Sequence, residues 1–341
     1  MSLDLPLIWA GVIATAVLLY VLLDGFDLGV GILFPFAREP AERDRMMASV
    51  APVWDGNETW LVLGGGGLMA AFPLAYAVLM QAFYLPIVLM LLALILRGVA
   101  FEFRAHGRRR GKRGWTVAFA AGSIIAALAQ GLVLGGFIQG VAVEHGVFVG
   151  GPFDWASPYC LITALGLVAG YALLGAGWLM IKSSGALFGD ARRWARMAAV
   201  VATVLLGVVS VATLTVHPYV ADRWGWTGHG FDLGRLARFA VIPLLGAAGL
   251  AILARGLVTG SHRWPFAGAA VLFASGYLGL AASFAPYVAP YAMTFRDAAN
   301  TGSALGLLTG GLVIILPLVL GYVAFVFWTF RGKVNADAGY H

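Results

Sequence analysis

Long apolar segments dominate this chain, and they constrain its fold more than any other feature of the sequence. A helix needs about 20 predominantly apolar residues to cross the hydrocarbon core of a membrane. Only 11% of the residues are charged, against about 25% in soluble domains. We therefore predict an all-α integral membrane protein with nine transmembrane helices. The predicted spans cover about 6–35, 54–75, 77–102, 115–141, 158–181, 197–217, 236–257, 265–287 and 304–330.

The connections between these segments are too short to hold a folded domain outside the membrane, so residues 1–341 are predicted to form one polytopic domain. Its helices are expected to form two four-helix units, at about 6–141 and 158–287, followed by a ninth helix at 304–330. The first segment lacks the basic start and the small-residue cleavage site of a signal peptide, so it is predicted to remain as a transmembrane helix.

Basic residues indicate the orientation of the chain. Most of the 22 lysines and arginines fall in alternate connections and after the last span. Because such residues concentrate on the cytoplasmic side, the N-terminus is predicted outside and the C-terminus in the cytoplasm. The run RRRGKRG (108–114) is explained in the same way, so no nucleic-acid partner is expected. The basic residues of this side are Arg38, Arg43, Arg45, Arg104, Arg108, Arg109, Arg110, Lys112, Arg113, Lys182, Arg192, Arg193, Arg196, Arg255, Arg263, Arg331 and Lys333.

Two acidic motifs interrupt the apolar segments, DGFDLGVG at 24–31 and APVWDGNETW at 51–60. A charge at the centre of a membrane helix costs about 2.5–3.5 kcal/mol, so these groups need partners, protonation or water. Within each motif the two acids are three residues apart, so one helical face presents both. Both pairs are expected toward the cytoplasmic ends of their helices. The acids are Asp24, Asp27, Asp55 and Glu58.

The third predicted span returns to the same side and brings Arg97 and Glu102 close to these acids. One interpretation is a structural ion-pair network around Arg97, with Glu58 also favoured by the positive end of its helix dipole. The other is a proton path, because chains of carboxylates in membranes commonly act as proton relays. The residues alone leave both interpretations open. Trp54, which flanks the acids, is by default a packing aromatic.

The positions of the histidines argue against a metal site in this chain. A membrane haem normally takes an axial histidine from within a span, and copper or di-iron sites need comparable ligands. The single Cys160 excludes an internal disulfide and a thiolate cluster. Any haem would therefore come from a partner. The histidines fall in predicted loops, in the tail or at the outer end of the sixth span: His106, His145, His217, His229, His262 and His341.

Three motifs of this chain resemble subunit II of the cytochrome bd-type quinol oxidases, including the cyanide-insensitive branch. They are DGFDLGVG, APVWDGNETWLV and LRGVAFEFR, at 24–31, 51–62 and 96–104. The resemblance extends along the chain through the nine spans, the orientation and the absence of deep histidines. The segment APYVAP…TFRDAA (285–299) is a weaker match.

The resemblance implies a multi-pass protein of the bacterial inner (plasma) membrane. The complex would be a respiratory terminal oxidase that oxidises quinol and reduces dioxygen to water. A haem-containing subunit I would hold haem b and haem d and the main quinol site, while this chain would ligate none. This subunit would support assembly and proton uptake. Membrane lipids are expected partners, and a structural quinone in this chain and an additional small single-span subunit are left open.

The resemblance also implies roles for individual residues. Asp55, in the WDGN motif, would lie on the proton path beside Trp54. Asp27, followed by Asp24, would belong to the entrance of that path. Arg97, Glu102 and Glu58 would form a supporting network, although Glu58 stands where some family members have an uncharged residue.

Two other functions could use the same acids. A proton-coupled secondary transporter is the main alternative, but such transporters tend to show inverted repeats and broken helices near the midplane. Here the acids are predicted toward one side, and no repeat is evident. A purely structural assembly subunit is the other alternative.

Overall fold

The computed structural model describes residues 3–106 and 109–334, and most of these are α-helical. Arg108 of the basic run lies outside the described residues, as does His341 in the tail. Two short antiparallel hairpins pair β1 (Val143–Glu144) with β2 (Val147–Phe148), and β3 (Tyr287–Ala289) with β4 (Met293–Thr294). The helices are α1 (Leu5–Leu33), α2 (Pro40–Val50), α3 (Trp54–Ala71), α4 (Pro73–Ala82), α5 (Tyr84–His106), α6 (Arg109–Gln139), α7 (Pro158–Lys182), α8 (Gly185–Val216), α9 (Pro218–Arg223), α10 (Leu233–Arg238), α11 (Val241–Thr259), α12 (Trp264–Phe284) and α13 (Gly302–Thr329).

Eight described helices are long and apolar enough to cross a membrane. This confirms the predicted all-α membrane fold, and the eight helices correspond to eight of the nine predicted segments. They are α1, α5, α6, α7, α8, α11, α12 and α13.

The second predicted span, at 54–75, is not among these eight. It corresponds to α3, an 18-residue helix in which Trp54 is followed by the polar sequence DGNET. Because Pro73 has no backbone N–H to continue the helix, α3 ends before it and α4 begins there. The predicted start of the third span, at 77, falls within α4, and the long helix of that span, α5, begins at Tyr84.

The basic residues near the start of α8 lie within the helix. The sequence placed them in a connection before a span at 197–217, and this was wrong, since α8 begins at Gly185. Arginine is a good helix former, so a basic segment can extend a membrane helix beyond its apolar part. Within this helix, Arg192 contacts the end of α11. Its Nε donates to the carbonyl oxygen of Leu257 at 2.9 Å, and its Nη2 donates to that of Val258 at 2.8 Å.

Helix α1 lies at the centre of the packing and contacts α3, α6 and α7. Its closest approach is to α7, where the backbones at Gly29 and Gly175 leave no room for a Cβ atom on either residue. Small residues allow this kind of close helix contact in membranes. The α11–α12 pair packs on α7 through α12, whereas α13 is peripheral, and Leu305 is its one buried residue.

Contacts between helix ends show which ends lie together. Arg38, just after α1, forms an ion pair of 2.9 Å with Asp190 near the start of α8. At the opposite end of α1, Asp4 forms an ion pair of 2.5 Å with Arg296, just after β4. The helices therefore run between two faces of the molecule, and the basic residues of α2 and α8 share one face.

Candidate functional site

A fully buried ion pair joins α1 to α5. Nη1 of Arg97 lies 2.7 Å from Oδ1 of Asp24, and neither side chain is exposed. Nη2 of the same arginine lies 3.3 Å from Oε2 of Glu58 on α3, whose side chain is 25% exposed. One guanidinium therefore holds acids from two other helices, and Glu58 connects the buried pair to the surface.

Asp27 lies close by on α1 and has no cationic partner among the described residues. Nδ2 of Asn57 donates to its Oδ2 at 2.8 Å and also lies 3.3 Å from the carbonyl oxygen of Leu23. The Asp27 side chain is buried. Because a lone buried charge is costly, a carboxylate in this setting is suited to bind and release a proton. We call Asp24, Asp27, Asn57, Glu58 and Arg97 the acid cluster.

Several buried polar atoms in and beside the acid cluster have no hydrogen-bond partner among the described residues. Buried polar groups are nearly always hydrogen-bonded, so these atoms remain available to water. Such hydration would link the carboxylates that the protein's own contacts leave separate. The atoms are Asp24 Oδ2, Asp27 Oδ1, Asn57 Oδ1, Trp60 Nε1 and Arg97 Nε.

A second buried polar group lies one helical turn from Asp24. Nε2 of Gln130 on α6 donates to the Tyr20 hydroxyl at 2.7 Å, and the Tyr171 hydroxyl of α7 donates to Oε1 of Gln130 at 2.8 Å. Both tyrosines are buried. The amide of Gln130 therefore holds α1 and α7 together and fixes the Tyr20 hydroxyl beside the acid cluster.

The structure leaves Asp55 outside the buried part of the cluster. It lies in the first turn of α3, is exposed, and forms no hydrogen bond or ion pair with its carboxylate among the described residues. Asp55 and Glu58 are three residues apart and so share a helix face. Trp54 packs inward beside them, with its ring stacked on Phe101 at a centroid distance of 4.9 Å.

The charged residues of α5 do not form one group, because each lies in different surroundings. Arg97 belongs to the acid cluster, whereas Glu102 lies on an exposed part of the helix. Arg104 is held by Asp44 of α2 at 2.7 Å and by the Thr116 hydroxyl of α6 at 3.2 Å.

Sequence reasoning overlooked three residues of this region: Asn57, Tyr20 and Gln130. Asn57 could have been noticed, because it lies within the acidic motif, one residue before Glu58. Gln130 is an uncharged polar residue within an apolar span, which is a weaker signal. Nothing in the sequence pairs Gln130 with tyrosines that lie 110 and 41 residues away along the chain.

Three of the described histidines lie at helix ends or in a turn, where they contact other groups or are exposed. The His217 ring stacks on Tyr291 at 3.8 Å, and its Nδ1 accepts from the backbone N–H of Tyr219. Nδ1 of His262 lies 2.8 Å from the Met180 carbonyl oxygen, and His145 is exposed in a turn. Among the described residues there is also no group of three or more His, Cys, Asp or Glu that could hold a metal ion.

Comparison with known proteins identifies the family. The family model described as cytochrome bd terminal oxidase subunit II matches residues 5–330. The chain is 27% identical over 363 residues to cytochrome bd-I ubiquinol oxidase subunit 2 of Escherichia coli (strain K12), covering 98% of this chain and 96% of that protein. It is 28% identical over 344 residues to cytochrome bd ubiquinol oxidase subunit 2 of Bacillus subtilis (strain 168), covering 96% of each.

The fold agrees with a solved structure of the same kind. The structure of bd oxidase from Geobacillus thermodenitrificans contains a chain that matches this one with a TM-score of 0.71 and 19% sequence identity, covering 96% of this chain and 99% of that chain. The family match spans nearly the whole sequence, and the apolar helices agree with it. This chain therefore belongs to the cytochrome bd terminal oxidase subunit II family and is a multi-pass protein of the bacterial inner membrane.

Proposed function

We propose that this chain is subunit II of a respiratory quinol oxidase and that its acid cluster passes protons toward a haem site in the partner subunit. Reduction of dioxygen to water consumes protons, and a membrane-embedded site needs protein groups to deliver them. The observation that carries the proposal is Asp27, a buried carboxylate with no cationic partner among the described residues, three residues from the Asp24–Arg97 pair.

The arrangement supports a route that enters at α3. Asp55 is exposed, Glu58 is partly exposed on the same helix face, and Glu58 contacts the arginine that holds Asp24. Water at the unpartnered atoms of the cluster would connect Asp24 to Asp27. In this route Arg97 holds Asp24 as a fixed counter-charge, and Asp27 is the group that binds and releases the proton.

We further propose nine membrane crossings, with the N-terminus outside and the C-terminus in the cytoplasm. α3 begins and α5 ends near the basic face, so α3 and α4 together would make the second crossing. The contacts of Arg38 with Asp190, and of Asp4 with Arg296, support the assignment of helix ends to two opposite faces. The excess of basic residues on one face supports calling that face cytoplasmic.

The partner in this proposal is a haem-containing subunit I, which would hold haem b and haem d and oxidise quinol. The haems supply the electron-transfer chemistry, and this chain's share is assembly and proton delivery. The exposed apolar surface of α13, with residues such as Leu307 and Leu318, requires lipid or another subunit against it. A structural quinone in this chain and a small single-span subunit rest on the family resemblance alone.

The test compares single carboxylate-to-amide variants of the intact complex. Asp27→Asn is expected to lower quinol-dependent oxygen consumption by about 100-fold, the lower end of what a lost proton-transfer group costs. Asp55→Asn should also lower it, but by less, because the partly exposed Glu58 can receive protons from water directly. The haem content, measured from the visible spectrum, should stay near normal in both.

Glu144→Gln is the matched control, since Glu144 is exposed on the β1–β2 hairpin at the other face. Full activity of Asp27→Asn at normal haem content would rule out the proton role. Loss of haem together with activity would favour a purely structural role in assembly. A haem-containing chain that copurifies with this one would separate the oxidase subunit from a proton-coupled transporter.

A further inference from the structure

A small cavity lies at the basic face, in a different place from the acid cluster. It is enclosed by α2, the end of α7, the start of α8 and Val334, and its volume is about 10 Å³. That volume has room for about one water-sized group. No carboxylate of the described residues lines it. Its polar lining residues are Arg45, Ser49, Lys182, Ser183 and Ser184.

Arg45 has no hydrogen bond or ion pair among the described residues, and its Nε atom is buried without a partner. The two acids beside it on α2 are engaged elsewhere. Asp44 pairs with Arg104 at 2.7 Å, and Oε2 of Glu42 accepts from the backbone N–H of Arg38 at 2.9 Å. Among the described residues, therefore, nothing compensates the positive charge of Arg45, and none accepts from its five donors.

Lys182 provides a second cation on the other side. It is 6% exposed, and its Nζ donates to the carbonyl oxygens of Phe330 and Gly332. It also lies 4.9 Å from the centre of the Trp178 ring. An ammonium group has three donors, so one remains after the two carbonyls. None of these contacts neutralises the charge of Lys182.

The first turn of α8 adds to the positive potential. It contains no acidic residue, and the side chain of its N-cap residue, Ser184, makes no capping hydrogen bond. The N-terminal end of a helix carries a partial positive charge and free backbone N–H groups. Two buried or partly buried cations and a helix end therefore converge on one cavity that no carboxylate of the described residues lines.

We propose that this cavity binds one oxygen of a phosphate group, held between Arg45 and Lys182, and that the phosphate belongs to an anionic phospholipid. The cavity admits a single oxygen, so the rest of the phosphate lies at its mouth. The location favours a lipid, because α7 and α13 end there and Phe330, whose carbonyl binds Lys182, is 49% exposed. In the orientation proposed above, the cavity lies on the cytoplasmic side, where basic pockets between membrane helices bind anionic headgroups.

The test measures lipid binding to the purified, delipidated complex by native mass spectrometry. The probes are dioleoylphosphatidylglycerol, with dioleoylphosphatidylcholine for comparison, and inorganic phosphate in a separate arm. Arg45→Gln is expected to weaken phosphatidylglycerol binding by about fivefold, the effect of about 1 kcal/mol for one basic residue at a membrane surface. Arg45→Lys keeps the charge and should restore most of the binding. Because Arg45 has no hydrogen-bond or ion-pair partner in the part of the chain that the structure describes, its replacement should leave that part of the fold intact.

Arg193→Gln is the matched control. Arg193 is exposed on α8, has no contact in the cavity, and is screened by solvent. Equal weakening by both variants, or no weakening by Arg45→Gln, would overturn the site. Inorganic phosphate that binds in an Arg45-dependent way while the lipid does not would overturn the lipid as its source. Asp337→Asn tests whether a carboxylate of the chain's own C-terminal tail, and not a lipid phosphate, is the anion in the cavity. Lipid binding to this variant but not to the unaltered complex would also overturn the proposal.

Discussion

Arg97 is the residue on which the acid cluster depends, since its guanidinium contacts acids of two other helices. Without it Asp24 would remain buried and unpaired. Removal of one partner of a buried ion pair costs about 3–5 kcal/mol. Arg97→Leu is therefore expected to lower the melting temperature of the complex strongly, measured by thermal unfolding in detergent.

The double variant Asp24→Leu with Arg97→Leu should be more stable than Arg97→Leu alone, because it no longer leaves the fully buried carboxylate of Asp24 without its cation. Arg97→Lys serves as the control that retains the cation. A double variant that is less stable than the single one would show that the pair is held for packing and not for charge balance.

For individual residues, the sequence predicts which carboxylates are buried better than it predicts their partners. The apolar surroundings of Asp24 and Asp27 indicate that both are buried, and both are. The partners could not be assigned, because Arg97 is 73 residues from Asp24 and Asn57 is 30 residues from Asp27. The exposure of Asp55 depends on where α3 begins and what covers its first turn, and hydropathy does not resolve either.

Among the elements, the crossing of α1 and α7 has the least tolerance for change. A Cβ atom on Gly175 would lie 2.7 Å from the Cα atom of Gly29, a distance that real Cβ atoms essentially never show. Gly175→Ala is expected to destabilise the complex by about 1–3 kcal/mol, the usual cost of overpacking. Thermal unfolding measures the change.

Gly207 in α8 provides the matched control, since an added Cβ there meets nothing within 4 Å. Gly207→Ala should leave stability unchanged or raise it, because alanine is the better helix former. A similar loss in both variants would mean that helix propensity, and not the close backbone contact, decides the effect.

Element boundaries follow local signals that periodicity does not capture. Pro73 explains the break between α3 and α4, and it could have been used to divide the apolar stretch correctly. The start of α8 at Gly185 had no such signal, because its basic residues read equally well as a connection. Eight spans were found because their apolar length alone identifies them.

For the whole molecule, the proposed orientation can be tested by labelling in intact cells. The chain has one cysteine, Cys160, which is buried, so its background labelling should be low. Glu144→Cys, on the β1–β2 hairpin, should react with a membrane-impermeant maleimide added outside. Arg193→Cys, at the basic face, should react only after the cells are permeabilised. The reverse pattern would contradict the N-out orientation.

One consequence concerns a copy of this subunit that has not yet met its partner. Beyond the acid cluster, α1 carries no ionisable side chain other than Tyr20 until Asp4 at its far end. The Tyr20 hydroxyl itself accepts a hydrogen bond from Gln130 of α6. Protons that enter at α3 therefore have no onward conductor through α1. We therefore expect that a subunit without its partner does not conduct protons across the membrane along α1, so the transmembrane proton gradient is not lost by that route before assembly.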